Sequence, residues 1–592
     1  MRLLFVIVLI LASSKSWAQK DSTRAPVMQG KLAQKAIGTV KRTPKPDNVI
    51  VAKSEDTFLP FEGKIIRRII INNVGFEKSI YDSARTFKNR ATRIANSLHT
   101  NTRDKLIRDN LFFKENKPLN PYRLADNERY LRDLDFILDS RIEVCSVDGS
   151  EDSVDVEVLT RDVFSIGFRA NPEDVDILET SVYDANLGGY GQRIQVNTLF
   201  DAARSPQMGM ELFYRKSSIG GTFINPTIGY TQINSGRSYG NENEHALYLR
   251  LDRPLVSPYS RLAGGFELSK NYSINNYRLA DTTFRKYRYH LEDAWMGYNM
   301  GIRNTMNNRE RHFLAMRYFN QTFERKPLQP EESNNPVYNS QQFLLGSVTF
   351  YEQNFYKTRY VFGFGRTEDV PYGKTLTFTA GWSSEFGRDR SYIGMNTSRE
   401  FVNKNGTFYG ISAGAGSFFV DDKTEDTFIF INGSLYSKLL VSKKLKVRQQ
   451  VEAGYAQAFN NTIRPLLTLS DRLSGFRPDS LFGYKRLFLK TETTIFTPLK
   501  ALGFNFAGFA GMETAFIQQD REANLSQHSI WGMNGGFRIR NENIIFGTIE
   551  LRVFYYPTTF PGVDTWSYLI STNVRLKYTS LFVRPPSFVN YN

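Results

Sequence analysis

The stretch Thr548-Ile549-Glu550-Leu551-Arg552-Val553-Phe554 puts apolar and charged residues on alternate positions, and Ile570-Ser571-Thr572-Asn573-Val574-Arg575-Leu576-Lys577-Tyr578 does the same with apolar and polar ones. A period of two is that of a β-strand with unlike faces. Further back, Ile194, Val196 and Thr198 alternate with Arg193, Gln195 and Asn197, and Leu247, Leu249 and Leu251 with Tyr248, Arg250 and Asp252. The pattern holds from about Val163 onward. A soluble sandwich also alternates, but it does not set charged inner faces against apolar outer ones over so long a run. An antiparallel barrel with lipid outside and a wet lumen does. The span predicts a transmembrane antiparallel β-barrel over residues 163–592. At roughly 25 to 28 residues per strand with its loops, about 16 strands are expected. Short turns such as Asn403-Lys404-Asn405-Gly406 alternate with longer polar loops such as Arg325 to Ser340.

Composition agrees. Mean hydropathy is -0.40 although the chain carries 46 Phe and 31 Tyr in 592 residues. Beyond the first residues there is no apolar run long enough for a spanning helix. Arg2, the apolar run Leu3 to Ala12 and Ser16-Trp17-Ala18 read as a signal peptide over residues 1–18. Residues 19–60, with Pro26, Pro44 and Pro46 and few large apolar side chains, read as a flexible linker. The net charge of +16 is spread along the chain, which fits a basic lumen and loops beside anionic lipid and not a nucleic-acid binder. Cys145 is the single cysteine and is expected as a small buried residue on a strand. No metal or cofactor is expected: the five histidines are scattered, and no phosphate-binding Gly-Lys-Ser/Thr occurs. Gly410-Ile411-Ser412-Ala413-Gly414 has the spacing of a hydrolase nucleophile turn, but it lies inside an alternating segment, so no enzyme is expected.

Residues 61–162 read as a compact α/β unit. Ile65, Ile66 and Ile69 to Ile71 predict a strand. Asn101-Thr102 can cap a helix carrying Leu106, Ile107 and Leu111, and Asn120-Pro121 opens a second helix with Leu124, Leu131 and Leu134. Arg141 to Val147 and Val154 to Thr160 then alternate as two strands around Asp148-Gly149.

This unit resembles a POTRA domain through Leu111-Phe112-Phe113-Lys114-Glu115-Asn116-Lys117-Pro118-Leu119-Asn120, Arg129-Tyr130-Leu131-Arg132-Asp133-Leu134-Asp135 and Arg141-Ile142-Glu143-Val144. Behind it, Ala185 to Gln192, Arg253-Pro254, Ala294 to Tyr298 and Phe537 to Asn543 are similar to segments of the D15-type surface-antigen barrel. One POTRA followed by such a barrel resembles the BamA/TamA-like superfamily of outer-membrane assembly and translocation proteins. That family carries an inward-folded loop reading aliphatic-Arg-Gly-aromatic. The best match here is Leu473-Ser474-Gly475-Phe476, with serine where arginine is expected and Arg477 just beyond. The acid that pairs with that arginine is absent from its place on a following strand, and Glu513 is the nearby candidate. Losing both charges together is less costly than burying one alone.

The resemblance implies a factor for outer-membrane protein insertion or protein translocation. Its POTRA would lie in the periplasm and its barrel in the outer membrane. Its partners would be unfolded outer-membrane or secreted proteins, outer-membrane lipids and accessory lipoproteins. A client strand would add to the free edge Arg141, Ile142, Glu143, Val144, Cys145, Ser146 and Val147, then pass to a seam between the first and last barrel strands. The alternative is an outer-membrane pore without an assembly role, its basic lumen passing anionic solutes.

Overall fold

The computed structural model describes residues 52–74, 100–172, 176–237, 242–301, 309–470 except 334 and 443, 472–476, 481–501, 504–541, 547–557, 563–574 and 583–589. The signal-peptide reading and Arg477 lie outside them.

The α/β unit comprises β2 (Ile65–Asn73), α1 (Asp104–Asp109), α2 (Pro121–Asp133), β3 (Ile137–Val147) and β4 (Ser150–Asp162), preceded by the two-residue β1 (Ala52–Lys53). Its sheet runs β2-β4-β3, with β2 parallel and β3 antiparallel to the central β4. Alternation sorts β4: Val154, Val156 and Val158 are fully buried against the helices, while Asp155 on the other face pairs with Arg67 and Arg68 at 2.5 and 2.9 Å. Pro121 starts α2, and the Asn120 side chain caps it by accepting from the Arg123 N–H at 3.0 Å. The first helix is shorter than the sequence predicts: Arg103 is its N-cap, and Leu111 lies beyond its end.

Two expectations fail here. Residues 52–60 are not a linker: Phe58 is 1% exposed in the core with Ile66, Ile107, Leu124 and Val156, and β1 pairs with a barrel strand. Phe58, with Phe61 packed against the same core, anchors a segment whose composition looks disordered. Cys145 is exposed, because β3 turns that position away from the helices.

The wall begins with β5 (Ile166–Pro172), β6 (Ile177–Asp184), β7 (Gln192–Asp201), β8 (Met208–Lys216), β9 (Asn225–Ser235) and β10 (Asn243–Arg253). It continues through β11 (Leu262–Ile274), β12 (Arg288–Met300), β13 (Glu310–Arg325), β14 (Gln341–Thr358), β15 (Glu368–Glu385), β16 (Arg388–Val402) and β17 (Phe408–Val420). Then come β18 (Lys423–Tyr436), β19 (Leu440–Ser442) and β20 (Leu445–Phe459), and, after the two-residue β21 (Leu467–Thr468) and β22 (Phe482–Gly483), β23 (Lys485–Ala501) and β24 (Phe504–Gln518). The last are β25 (His528–Arg540), β26 (Thr548–Tyr555) and β27 (Trp566–Val574). Successive wall strands pair antiparallel, and β27 lies beside β5, where the Thr572 hydroxyl donates to the Ala170 carbonyl at 2.8 Å.

Of the 22 strands of this sheet, β1 is an addition to β14 and β19 continues β18 against β20, which leaves about 20 in the wall among the described residues. The expected 16 is too few. Connections such as Phe386-Gly387 and Asp421-Asp422 are only two residues long, so each strand consumes less chain than the loop allowance assumed.

The sides follow the alternation. On β13, Leu314, Met316 and Tyr318 are exposed on the outside, while Arg311, Phe313, Ala315 and Arg317 point inward. Leu247, Met296, Ile393 and Phe537 extend the same apolar outer belt. A surface of that kind belongs in lipid. The Gly410 to Gly414 motif lies within β17 and not at a strand-to-helix turn.

Candidate functional site

Two constructions meet in the barrel: the α/β unit closes one end, and chain from the other end fills the lumen. The first rests on one face of α2. Glu128 bonds Arg132 Nη1 and Lys357 Nζ, each at 2.6 Å, and the Arg132 guanidinium reaches both oxygens of Asp369 at 2.8 to 3.0 Å. Lys357 lies at the end of β14 and Asp369 at the start of β15. Elsewhere on α2, Asp126 takes Arg309 Nη2 at 2.9 Å and the Ser257 hydroxyl at 2.6 Å, and Arg129 Nη2 donates to the Val256 carbonyl at 2.8 Å.

Burial alone would raise the Glu128 carboxyl, but Lys357 and Arg132 outweigh it and hold the group at about 2. Ion pairs out of water persist only when their remaining polar atoms are satisfied; here Glu128 Oε2 also accepts the Ile142 N–H at 3.1 Å and Arg132 Nη1 donates to the Ser140 carbonyl at 2.8 Å. On the other side of the unit the barrel turns press against backbone. A Cβ at Gly189 would sit 2.3 Å from the Asn101 carbonyl oxygen, and one at Gly221 2.7 Å from that of Asp109. Both glycines have positive φ, +76° and +75°, so only glycine suits either turn.

At the opposite end the long connection between β20 and β23 folds into the lumen. Asp426 fixes its start by accepting the backbone N–H groups of Thr462, Ile463 and Arg464 at 2.7 to 3.2 Å. Its tip is Leu473-Ser474-Gly475-Phe476. Leu473 and Phe476 are buried against Phe488, Ala515, Phe554 and Tyr556. The Ser474 N–H donates to Glu513 Oε2 at 2.8 Å, the Tyr556 hydroxyl donates to the Ser474 carbonyl at 2.7 Å, and Asn534 Nδ2 donates to Glu513 Oε1 at 2.7 Å. Gly475, at φ +71°, lies so close to the Phe554 ring that a Cβ would come within 2.7 Å of it. Glu513 therefore meets this loop at the main chain of Ser474, where no guanidinium is needed.

Beside the tip, Arg538 bridges Glu492 at 2.6 Å and Glu550 at 2.7 Å, Arg552 bridges the same two at 2.9 and 2.7 Å, and both guanidinium groups lie over the Phe509 ring at 4.2 and 4.4 Å. A cavity lined by Ser474, Lys490, Glu492, Glu513, Arg538 and Arg552 lies beside the loop tip, and Arg552 Nη1 donates to Asn534 Oδ1 at 2.9 Å. Sequence reasoning did not single out Glu492 or Asn534, and took Arg538 only as part of the stretch Phe537 to Asn543. Their signal was available, since each is a polar residue on the inward phase of its strand.

The strand Arg141 to Val147 lies within β3, at one edge of the three-stranded sheet. Its first half is covered, since Ser140 and Ile142 bond to α2. Val144 and Ser146 follow in the same phase, past the helix.

No known family model matches the chain, and no curated protein matches it. Among solved structures it is similar to several bacterial barrels. CdiB from Acinetobacter baumannii aligns at 8% identity and a TM-score of 0.38, covering 96% of each chain. BamA from Haemophilus ducreyi lacking POTRA domains 1–3 aligns at 9% and 0.35, over 86% of this chain and 84% of that one. The FrpB iron transporter from Neisseria meningitidis aligns at 8% and 0.37, over 74% and 86%. Likenesses of this degree assign no function. The chemistry of the site has to carry it.

Proposed function

We propose that this chain is an outer-membrane factor that assembles or translocates other proteins, with the α/β unit acting as a POTRA domain on the periplasmic side. One observation carries the reading: an edge strand, β3, sits in a small sheet that buried ion pairs fasten beneath the barrel. A free edge accepts an extended chain through backbone hydrogen bonds and reads little of its sequence. A fixed docking angle would then present that chain to the wall. The outer half of β3, from Val144, is the receiving segment, because α2 occupies the inner half.

The wall around the closure supports a lateral route. The strands β6 and β26 have 8 residues each, whereas β14 and β15 have 18. Short strands span less hydrocarbon and thin the bilayer beside them. The alternative, a passive pore, is disfavoured by the filled lumen: α2 covers one end, and the loop tip at Ser474 is bonded to the wall within.

The experiment is reconstitution of the full chain in liposomes of bacterial lipid, with an unfolded barrel protein added outside. Faster appearance of the folded, heat-resistant client than in empty liposomes is expected. Equal rates, together with steady ion conductance through the reconstituted chain, would reverse the reading in favour of the pore.

A further inference from the structure

Beyond the last described strand, Val583 to Val589 lies inside the barrel and outside the sheet. Val583 packs on Phe313, Ala315 and Tyr351 of the inner wall. The Pro586 carbonyl accepts from Arg317 Nη1 at 3.2 Å, and Arg317 is itself held by Asp293 at 2.7 Å. Phe588 enters an aromatic cage, its ring centroid 5.0 Å from Phe343, 4.8 Å from Tyr392 and 4.9 Å from Phe418. The Arg464 guanidinium, from the inward loop, lies 5.2 Å from the same ring. The Val589 N–H donates to the Tyr392 hydroxyl at 2.5 Å, and its side chain packs with Phe428, Ala456 and Leu467.

These are the features of a peptide site and not of a strand pairing. A deep aromatic anchor supplies most of the energy of such sites. Pro585-Pro586 holds the chain extended in advance, which lowers the entropy lost on binding. The contacts come from side chains, so the segment can leave without breaking the sheet. Its tether keeps it at millimolar effective concentration or above, so it excludes free peptides of similar affinity.

We propose that the lumen holds a binding site for an extended peptide carrying an aromatic residue followed by an aliphatic one, and that Val583–Val589 of this chain is its resident, displaceable occupant. This stands on the lumen packing and holds whether or not the chain assembles other proteins.

The test uses the full chain in detergent micelles and a fluorescent synthetic peptide of residues 583–592. Phe588→Ala should empty the cage, and the peptide should bind that variant at least about tenfold more tightly than the unaltered chain. Adding Tyr392→Ala should remove the gain, and the same peptide with alanine for its phenylalanine should not compete. Heat-modifiable gel mobility reports the folded barrel; if Phe588→Ala does not fold, Phe588→Leu takes its place. Equal binding to the variant and the unaltered chain, no binding to the variant, or binding that survives Tyr392→Ala would overturn the proposal.

Discussion

At the scale of single residues, Glu513 and Ser474 explain how the tip of the inward loop is held to the wall with serine at its second position. The carboxylate accepts a main-chain N–H and the Asn534 amide, while the Tyr556 hydroxyl holds the neighbouring carbonyl. Glu513→Ala leaves the Ser474 N–H and the Asn534 amide without this acceptor and is expected to cost the loop about 1–3 kcal/mol. Amide hydrogen exchange at Ser474 should accelerate accordingly, whereas Glu513→Gln keeps an acceptor and should change it far less. Exchange unaltered by Glu513→Ala would mean that the carboxylate does not hold the tip. The motif and the nearby acid were readable from sequence. The manner of their meeting was not, because a bond to backbone leaves no trace in residue type. Neither did the sequence mark Phe588 as a lumen residue, since a segment after the last strand lacks the alternation that assigns sides.

At the scale of elements, α2 is the piece on which the docking turns. Arg132→Ala leaves Glu128 and Asp369 buried with fewer partners, and breaking such a pair from one side typically costs about 3–5 kcal/mol. Greater proteolysis between the α/β unit and the barrel is the expected result, measured as the rate at which trypsin separates the two. Glu128 also sets an acid limit. Its carboxyl is depressed in the folded protein, so its contribution is complete above the ordinary value of 4.5 and is lost as the pH falls through about 2. Hydrogen exchange in α2 should therefore be flat from neutral pH to about 5, beyond the intrinsic pH dependence of exchange, and rise in strong acid. The order of elements in the unit was legible from periodicity and from Asn120-Pro121. Residues 52–60 were not, because the burial of Phe58 depends on a pocket assembled by distant β2, α1 and α2.

At the scale of the whole molecule, alternation decided the architecture, and the faces of β7, β10, β13 and β26 follow it. The strand count did not follow, since turn lengths are local choices that period-two runs do not report. The lateral route proposed above would open at the closure between β5 and β27. In a chain with Cys145→Ser, the pair Ala170→Cys and Thr572→Cys should lock this closure on oxidation and abolish function, with recovery on reduction. Retained function in the oxidised form would exclude a lateral opening there.

On the proposed function, other proteins reach the outer membrane through this one. The most direct measurement is the outer-membrane proteome of cells depleted of the protein, against undepleted cells. Selective loss of a small set of barrels or surface proteins is the predicted result and names the clients. An unchanged proteome would contradict the account.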